Sequence, residues 1–170
     1  RLVYAIFGAY NYRAVFVVQA VLGSFMVLML SDIVRRISNP TAAVIAAVLC
    51  AVNANFIAYP LTTMTEAWSL FIVVLLIWLL YTPFGDGAKA IALGCVIVAG
   101  IYMKSAMLFF APPIFLVIRK RLLFVLVLIA LISPWIIRNA VVHGKVAPVS
   151  DTGALNFYAT YNPAATGSRH

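Results

Sequence analysis

Apolar positions run along this chain in long blocks rather than alternating with polar ones, and short polar or charged clusters separate the blocks. A bilayer core holds no water to satisfy exposed N–H and C=O groups, so an apolar block of this kind must close its backbone bonds internally, as a helix does. The two-residue alternation of a membrane barrel is absent from the pattern. The first block runs from about Arg13 to Ile33, about 20 residues, enough to cross ~30 Å of hydrocarbon at ~1.5 Å per residue. Arg35-Arg36 closes it.

A second block, from about Ala42 to Tyr59, follows the turn Asn39-Pro40-Thr41, where Pro40 supplies a helix-compatible φ and Thr41 stands near the first turn. Pro60 ends it. The third, from about Glu66 to Tyr81, opens with Thr65 as N-cap and Glu66 set favourably against the helix dipole, and Thr82-Pro83-Phe84-Gly85-Asp86-Gly87 closes it. The fourth and fifth, from about Ala88 to Tyr102 and about Ala106 to Ile118, fall short of a comfortable span, which leaves a tilted or re-entrant path open. A sixth covers Leu122 to about Ile137. The expected fold is all-α: a polytopic transmembrane helical bundle of about six membrane helices over residues 1–137, followed by an outer-face loop over 138–170.

Composition strengthens this picture, since 65% of residues are hydrophobic, 9% are charged and mean hydropathy is +1.09, outside the range of ordinary soluble domains. The net charge of +8 raises the question of nucleic acid, but the basic residues stand at the ends of apolar runs and form no stripe that could track a phosphate backbone. No nucleic-acid partner is expected; the partner is the lipid bilayer. Arg35-Arg36, Lys89 and Arg119-Lys120-Arg121 fall in alternate loops and leave only Lys104 in the intervening short ones. Short loops rich in Lys and Arg stay cytoplasmic. The cytoplasmic face then carries Asp32 and Asp86, and the opposite face carries the Tyr59 to Thr65 loop, the Lys104 turn and the tail after Arg138. The expected location is a bacterial inner membrane, crossed several times. Cys50 and Cys95 lie inside apolar runs without Cys-x-x-Cys or His spacing and read as small packing residues. The start at Arg1 and the stop at His170, soon after a loop begins, read as those of an internal fragment.

Of the four carboxylates, this sorting puts Glu66 and Asp151 on the outer face with Lys104, Arg138, His143 and Lys145. Glu66 reads either as a helix-start carboxylate stabilised by the dipole or as a general base or metal ligand. Lys104, a lone cation between two short apolar segments, reads either as a snorkelling side chain or as a partner for phosphate. Arg138 and Lys145, ahead of a Gly- and Asn-rich stretch over 149–167, suit an anionic headgroup or a sugar. Trp135, after Pro134, reads as an interfacial anchor at a helix end, and Phe157, Tyr158 and Tyr161 as sugar-stacking or interface aromatics. His143 has no second ligand at helical or turn spacing. The spans hold no charged residue at mid-depth, where ion-coupled transporters keep theirs, and Gln19, Asn53 and Asn55 read as helix glue.

Three stretches resemble the membrane-embedded, lipid-linked-sugar glycosyltransferases of family 39, the protein-mannosyltransferase-like group with a C-type fold. Arg13 to Arg36 resembles its helix after the first large outer loop, Pro60 to Leu80 its Thr-Glu helix start, and Ser133 to Gly167 its Pro-Trp-x-x-Arg-Asn, Gly-Lys, Pro-Val-Ser and Asn-Pro-x-x-Thr-Gly series. Asp151-Thr152 and Met103-Lys104-Ser105 depart from the family's usual residues. The resemblance implies transfer of a sugar from a polyprenyl phosphate donor to an acceptor glycan, lipid or protein on the outer face. It implies an inverting displacement, with the principal catalytic Asp in a loop expected upstream of Arg1, so that this stretch alone would be inactive. It makes Glu66 a secondary carboxylate, sets Lys104 against the carrier phosphate, and puts Arg138 and Asn139 at the cavity mouth; charge and position add Lys145 as a further phosphate-binding candidate. A divalent metal is open. The competing expectations are a multispan transporter and a noncatalytic lipid-binding or scaffold protein.

Overall fold

The computed structural model describes residues 12–54 and 66–143, and the regular elements among them are all helical. Helix α1 spans Tyr12–Ile37, α2 Pro40–Val52, α3 Glu66–Tyr81 and α4 Asp86–Met103; a 3-10 segment, Ser105–Phe110, leads into α5, Ala111–Val117, and α6 spans Arg121–His143. Asn55, Pro60, Thr65, Lys145, Asp151, Phe157, Tyr158 and Tyr161 lie outside the described residues.

Helices α1, α4 and α6 are long and apolar enough to cross a bilayer, whereas Pro40–Val52, Glu66–Tyr81 and Ser105–Val117 are shorter. Among the described residues, three helices of spanning length and three shorter apolar ones stand where six crossings are expected. Asn39 caps α2, its side-chain oxygen accepting the Ala42 N–H at 2.8 Å, and Pro40 holds the first position; Asn53 turns extended (φ −70°, ψ 121°) and α2 ends at Val52, while residues 55–59 of the second block lie outside the described residues. Ser31 closes the α1/α2 hairpin by donating to the Ala43 carbonyl at 3.1 Å.

The fifth block is not one helix. Pro112 and Pro113 lack N–H groups and are tolerated only in a first turn, so α5 restarts just before them and the residues ahead take the tighter 3-10 path. Its larger rise, ~2.0 Å per residue against ~1.5 Å, lengthens a short segment. The chain therefore returns along α4: Lys104 sits at the C-terminal end of α4, while Arg119 pairs with Asp86 at its N-terminal end, Nη1 to Oδ2 3.7 Å.

Helix α6 runs through Pro134 to His143, so the helix end expected near Ile137 moves outward by more than a turn. Pro134 cannot bond the Ala130 carbonyl, and Ser133 Oγ donates to it at 3.2 Å instead. The Tyr102 hydroxyl donates to the next carbonyl, that of Leu131. A membrane helix that loses a backbone bond at proline needs such side-chain donors, because lipid supplies none. Tyr102→Phe is expected to cost roughly 1–2 kcal/mol and to lower the thermal midpoint in detergent; an unchanged midpoint would show that the helix satisfies Leu131 by itself.

The core centres on α4, whose Ala90, Leu93, Ile97 and Ile101 are buried between α3, α6 and the 3-10 segment. The outward surface is equally apolar, with Val17, Leu28, Val44, Leu122 and Ile129 all exposed, the arrangement suited to a lipid solvent. Cys95 belongs to this outward surface rather than to the packing, and Cys50 is partly buried.

Candidate functional site

Contacts sort the charged residues into two ends. At one end Asp32 on α1 accepts from Arg35 (2.6 Å), Arg36 (2.7 Å) and the Trp78 indole of α3 (2.9 Å), and Lys89 of α4 donates to the Leu80 carbonyl at 3.1 Å. Asp86 and Arg119 belong to this end as well. At the other end stand the start of α3, the end of α4 and the last turns of α6.

There Glu66 and Lys104, 38 residues apart in sequence, come together across the α3 and α4 termini, Nζ to Oε1 3.6 Å. Glu66 lies in the first turn of α3, where the N-terminal partial charge favours a carboxylate. Lys104 follows the last residue of α4 in an extended conformation (φ −150°, ψ 114°) and precedes the 3-10 segment, so its stem leaves the helix at the bundle end. At 3.6 Å the contact is an ion pair outside hydrogen-bonding range, and both side chains are nearly half exposed. Such pairs contribute at most about 1 kcal/mol, so the ammonium is held near the carboxylate while its donors remain available to an anion.

The pair stands over a pocket of about 280 Å³ lined by Glu66, Ser69, Leu70, Val73, Lys104 and Met107. Its volume falls just below that of drug-sized ligand sites, which run about 300–1,000 Å³, and suits a small group. The floor is apolar and the charges sit with Ser69, which is buried. Ser69 and Met107 are contributors that residue chemistry alone passes over; Ser69 follows Glu66 by three residues, the helical spacing that puts two side chains on one face.

Arg138 does not join the Glu66–Lys104 pair. Its guanidinium lies 5.5 Å from the Trp135 ring centre, and Trp135 packs on Tyr102 with centroids 5.6 Å apart. Tyr102 precedes Lys104 by two residues, so the Tyr102–Trp135–Arg138 ladder flanks the α4 terminus on the α6 side while the pocket flanks it on the α3 side. Trp135 is therefore more than an interface anchor: it carries Arg138 on its face. Asn139 is buried beside them on α6.

Among the described residues no three His, Cys, Asp or Glu side chains gather, and Glu66 is the one described carboxylate at this end. A single carboxylate already paired with an ammonium is a poor donor set for a divalent cation, which takes several oxygens. What the arrangement can do is bind an anion: a cation at a half-exposed, apolar-walled pocket, with a second cation on an aromatic face across the helix end.

A family model described as dolichyl-phosphate-mannose-protein mannosyltransferase matches residues 1–138 of the chain. No curated protein and no solved structure matches.

Proposed function

Because the chain belongs to the dolichyl-phosphate-mannose-protein mannosyltransferase family of membrane glycosyltransferases, we propose that it forms part of an enzyme that moves a sugar from a polyprenyl phosphate carrier to an acceptor on the outer face of the membrane. The observation that carries this reading is the Glu66–Lys104 pair over the apolar-floored pocket. In the displacement, the acceptor hydroxyl oxygen bonds to the anomeric carbon as the bond from that carbon to the carrier phosphate oxygen breaks. The phosphate leaves with the electron pair, and the hydroxyl proton passes to a carboxylate. Negative charge grows on the phosphate oxygens as the bond breaks, so a cation held beside them in a low-dielectric setting lowers the barrier. Lys104 supplies that cation. Glu66 holds the ammonium in place and offers a secondary carboxylate to the sugar or acceptor hydroxyls, while Arg138 and Asn139 frame the approach on the α6 side.

In membranes holding the full-length protein, Lys104→Ala and Glu66→Gln are each expected to lower sugar transfer from a polyprenyl phosphate donor while insertion and abundance stay unchanged. Full activity in both variants would remove the assignment. Orientation is testable separately. In a background with Cys50 and Cys95 replaced by Ser, Ser105→Cys should react with a membrane-impermeant maleimide added outside intact cells, and Ser38→Cys should react only after the membrane is opened. Reaction of Ser38→Cys from outside would reverse the faces.

A further inference from the structure

The end of the bundle opposite Lys104 holds a second, larger groove, of about 470 Å³, between α1 and α3. Phe25, Leu28 and Met29 form one wall and Phe71, Leu75 and Trp78 the other, with Asp32 at the polar end. From the Phe25 level to the Asp32 level the groove extends ~10 Å along α1, at ~1.5 Å per residue. Its wall faces outward, since Phe25 is 54% and Leu28 64% exposed, so an occupant would enter sideways from the membrane.

Asp32 is the charged residue of the lining, and it gathers two arginines just beyond the polar end of the groove. Asp32 divides its two oxygens among three donors: Oδ1 accepts from Arg35, and Oδ2 from both Arg36 and the Trp78 indole. The carboxylate is thereby filled, and Trp78 ties the two helices at the foot of the groove. Each guanidinium carries five N–H donors; Asp32 takes one from each. The remaining donors of two adjacent guanidiniums, with a net charge of one positive unit after Asp32, stand beside the carboxylate that closes the apolar groove. Arg35 in particular keeps its side chain 61% exposed. Fixing both arginines by a shared carboxylate orients them in advance, and a planar guanidinium suits the paired oxygens of a phosphate diester.

From this geometry we infer that the α1/α3 groove binds an anionic glycerophospholipid, with one acyl chain between Leu28 and Leu75 and the phosphate on Arg35 and Arg36. The site lies on the face away from the Glu66–Lys104 pocket and does not depend on the reading given to that pocket. A zwitterionic lipid fits less well, because its ammonium would need the carboxylate that Asp32 has already committed to three donors.

The test uses the full-length protein in nanodiscs of phosphatidylcholine with one fifth phosphatidylglycerol, followed by release into the gas phase and counting of retained lipids by native mass spectrometry. Phosphatidylglycerol is expected to be retained over phosphatidylcholine, and Arg35→Gln with Arg36→Gln to reduce that retention about tenfold, as for a lost bidentate charged contact. A photoactivatable phosphatidylglycerol with the reactive group on its acyl chain should label peptides holding Phe25–Asp32 or Phe71–Trp78. Leu75→Trp, which fills the groove and leaves the arginines intact, should abolish the labelling without altering the elution volume of the protein, and so keeps the test informative if the double arginine variant misfolds. Equal retention of the two lipids, labelling elsewhere, or retention unchanged in both variants would overturn the assignment, as would displacement of phosphatidylglycerol by a polyprenyl phosphate.

Discussion

Lys104→Ala should reduce kcat for sugar transfer by about 10²–10³, the cost of removing one electrostatic contact to a developing oxyanion, while KM for the donor changes by much less. The split follows from when the charge appears. In the proposed reaction the ground-state donor already carries a phosphate, but the bond to the anomeric carbon breaks only in the transition state, and the added negative charge is what the ammonium would meet there. An interaction felt mainly in the transition state lowers kcat and kcat/KM together. Lys104→Arg keeps the charge but carries it on a larger planar group, so partial activity is expected, well above that of Lys104→Ala. Glu66→Gln should give a smaller loss than Lys104→Ala, since it loosens the ammonium without removing it; at 3.6 Å and nearly half exposed, the pair is positioned rather than locked. A rise in KM with kcat untouched would make Lys104 a ground-state binding residue and remove it from the chemistry. Measuring initial rates against donor concentration in purified, detergent-solubilised full-length enzyme separates these outcomes.

The pairing at the heart of this expectation was half visible in the chain. Charge sorting across short loops puts Glu66 and Lys104 on one face, and the structure brings them to one pocket, because α4 packs against α3 with its end beside the start of α3. The block boundaries of α3 and α4 were legible to within a residue or two, Glu66 to Tyr81 among them, since Pro83, Gly85 and Gly87 interrupt an otherwise uniform apolar run. The same uniformity hid other features. Nothing in hydropathy distinguishes Ala106 to Ile118 from a helix, and only the Pro112-Pro113 step decides that it is a 3-10 segment followed by seven α-helical residues. Nor does a proline always end a membrane helix: Pro134 is carried through because Ser133 and Tyr102 serve the exposed carbonyls, and a donor 29 residues away cannot be read from local pattern. The Trp78–Asp32 bond, across 46 residues, is of the same kind. The family match covers 1–138 and so takes in the Arg13 to Arg36 and Pro60 to Leu80 stretches, whereas most of the Ser133 to Gly167 series lies beyond it.

The second large effect is expected at Gly94, where two helices of spanning length, α4 and α6, touch. A Cβ built there would stand 2.7 Å from Val127 Cγ1, 3.1 Å from Val127 Cβ and 3.7 Å from Phe124 Cδ2, and Phe124 is among the most buried residues of the core. Two terms oppose each other in Gly94→Ala. Alanine raises helix propensity by up to about 1 kcal/mol, whereas forcing a methyl into a packed interface costs about 1–3 kcal/mol. The sign turns on whether the neighbour can yield. Val127 is β-branched and held to essentially one rotamer within α6, so its methyl cannot swing aside and the helices must separate. Separation is costly here because the helices associate in lipid through close packing rather than through a hydrophobic drive, and small residues are what permit the approach. Gly94→Ala should therefore lower the thermal midpoint in detergent. Gly100→Ala, where Ile72 Cγ2 and Met107 Cγ stand at 3.1 Å and Met107 Cβ at 3.2 Å, should lower it less, since each of these contacts is longer than the 2.7 Å one at Gly94 and the propensity gain offsets part of the strain. Combining Gly94→Ala with Val127→Ala tests the cause: if the contact is responsible, the double variant should be more stable than the sum of the single effects predicts, by a coupling of about 0.5–3 kcal/mol. Additive losses would place the strain elsewhere, and a Gly94→Ala protein as stable as the parent would show that α4 and α6 have room to move apart.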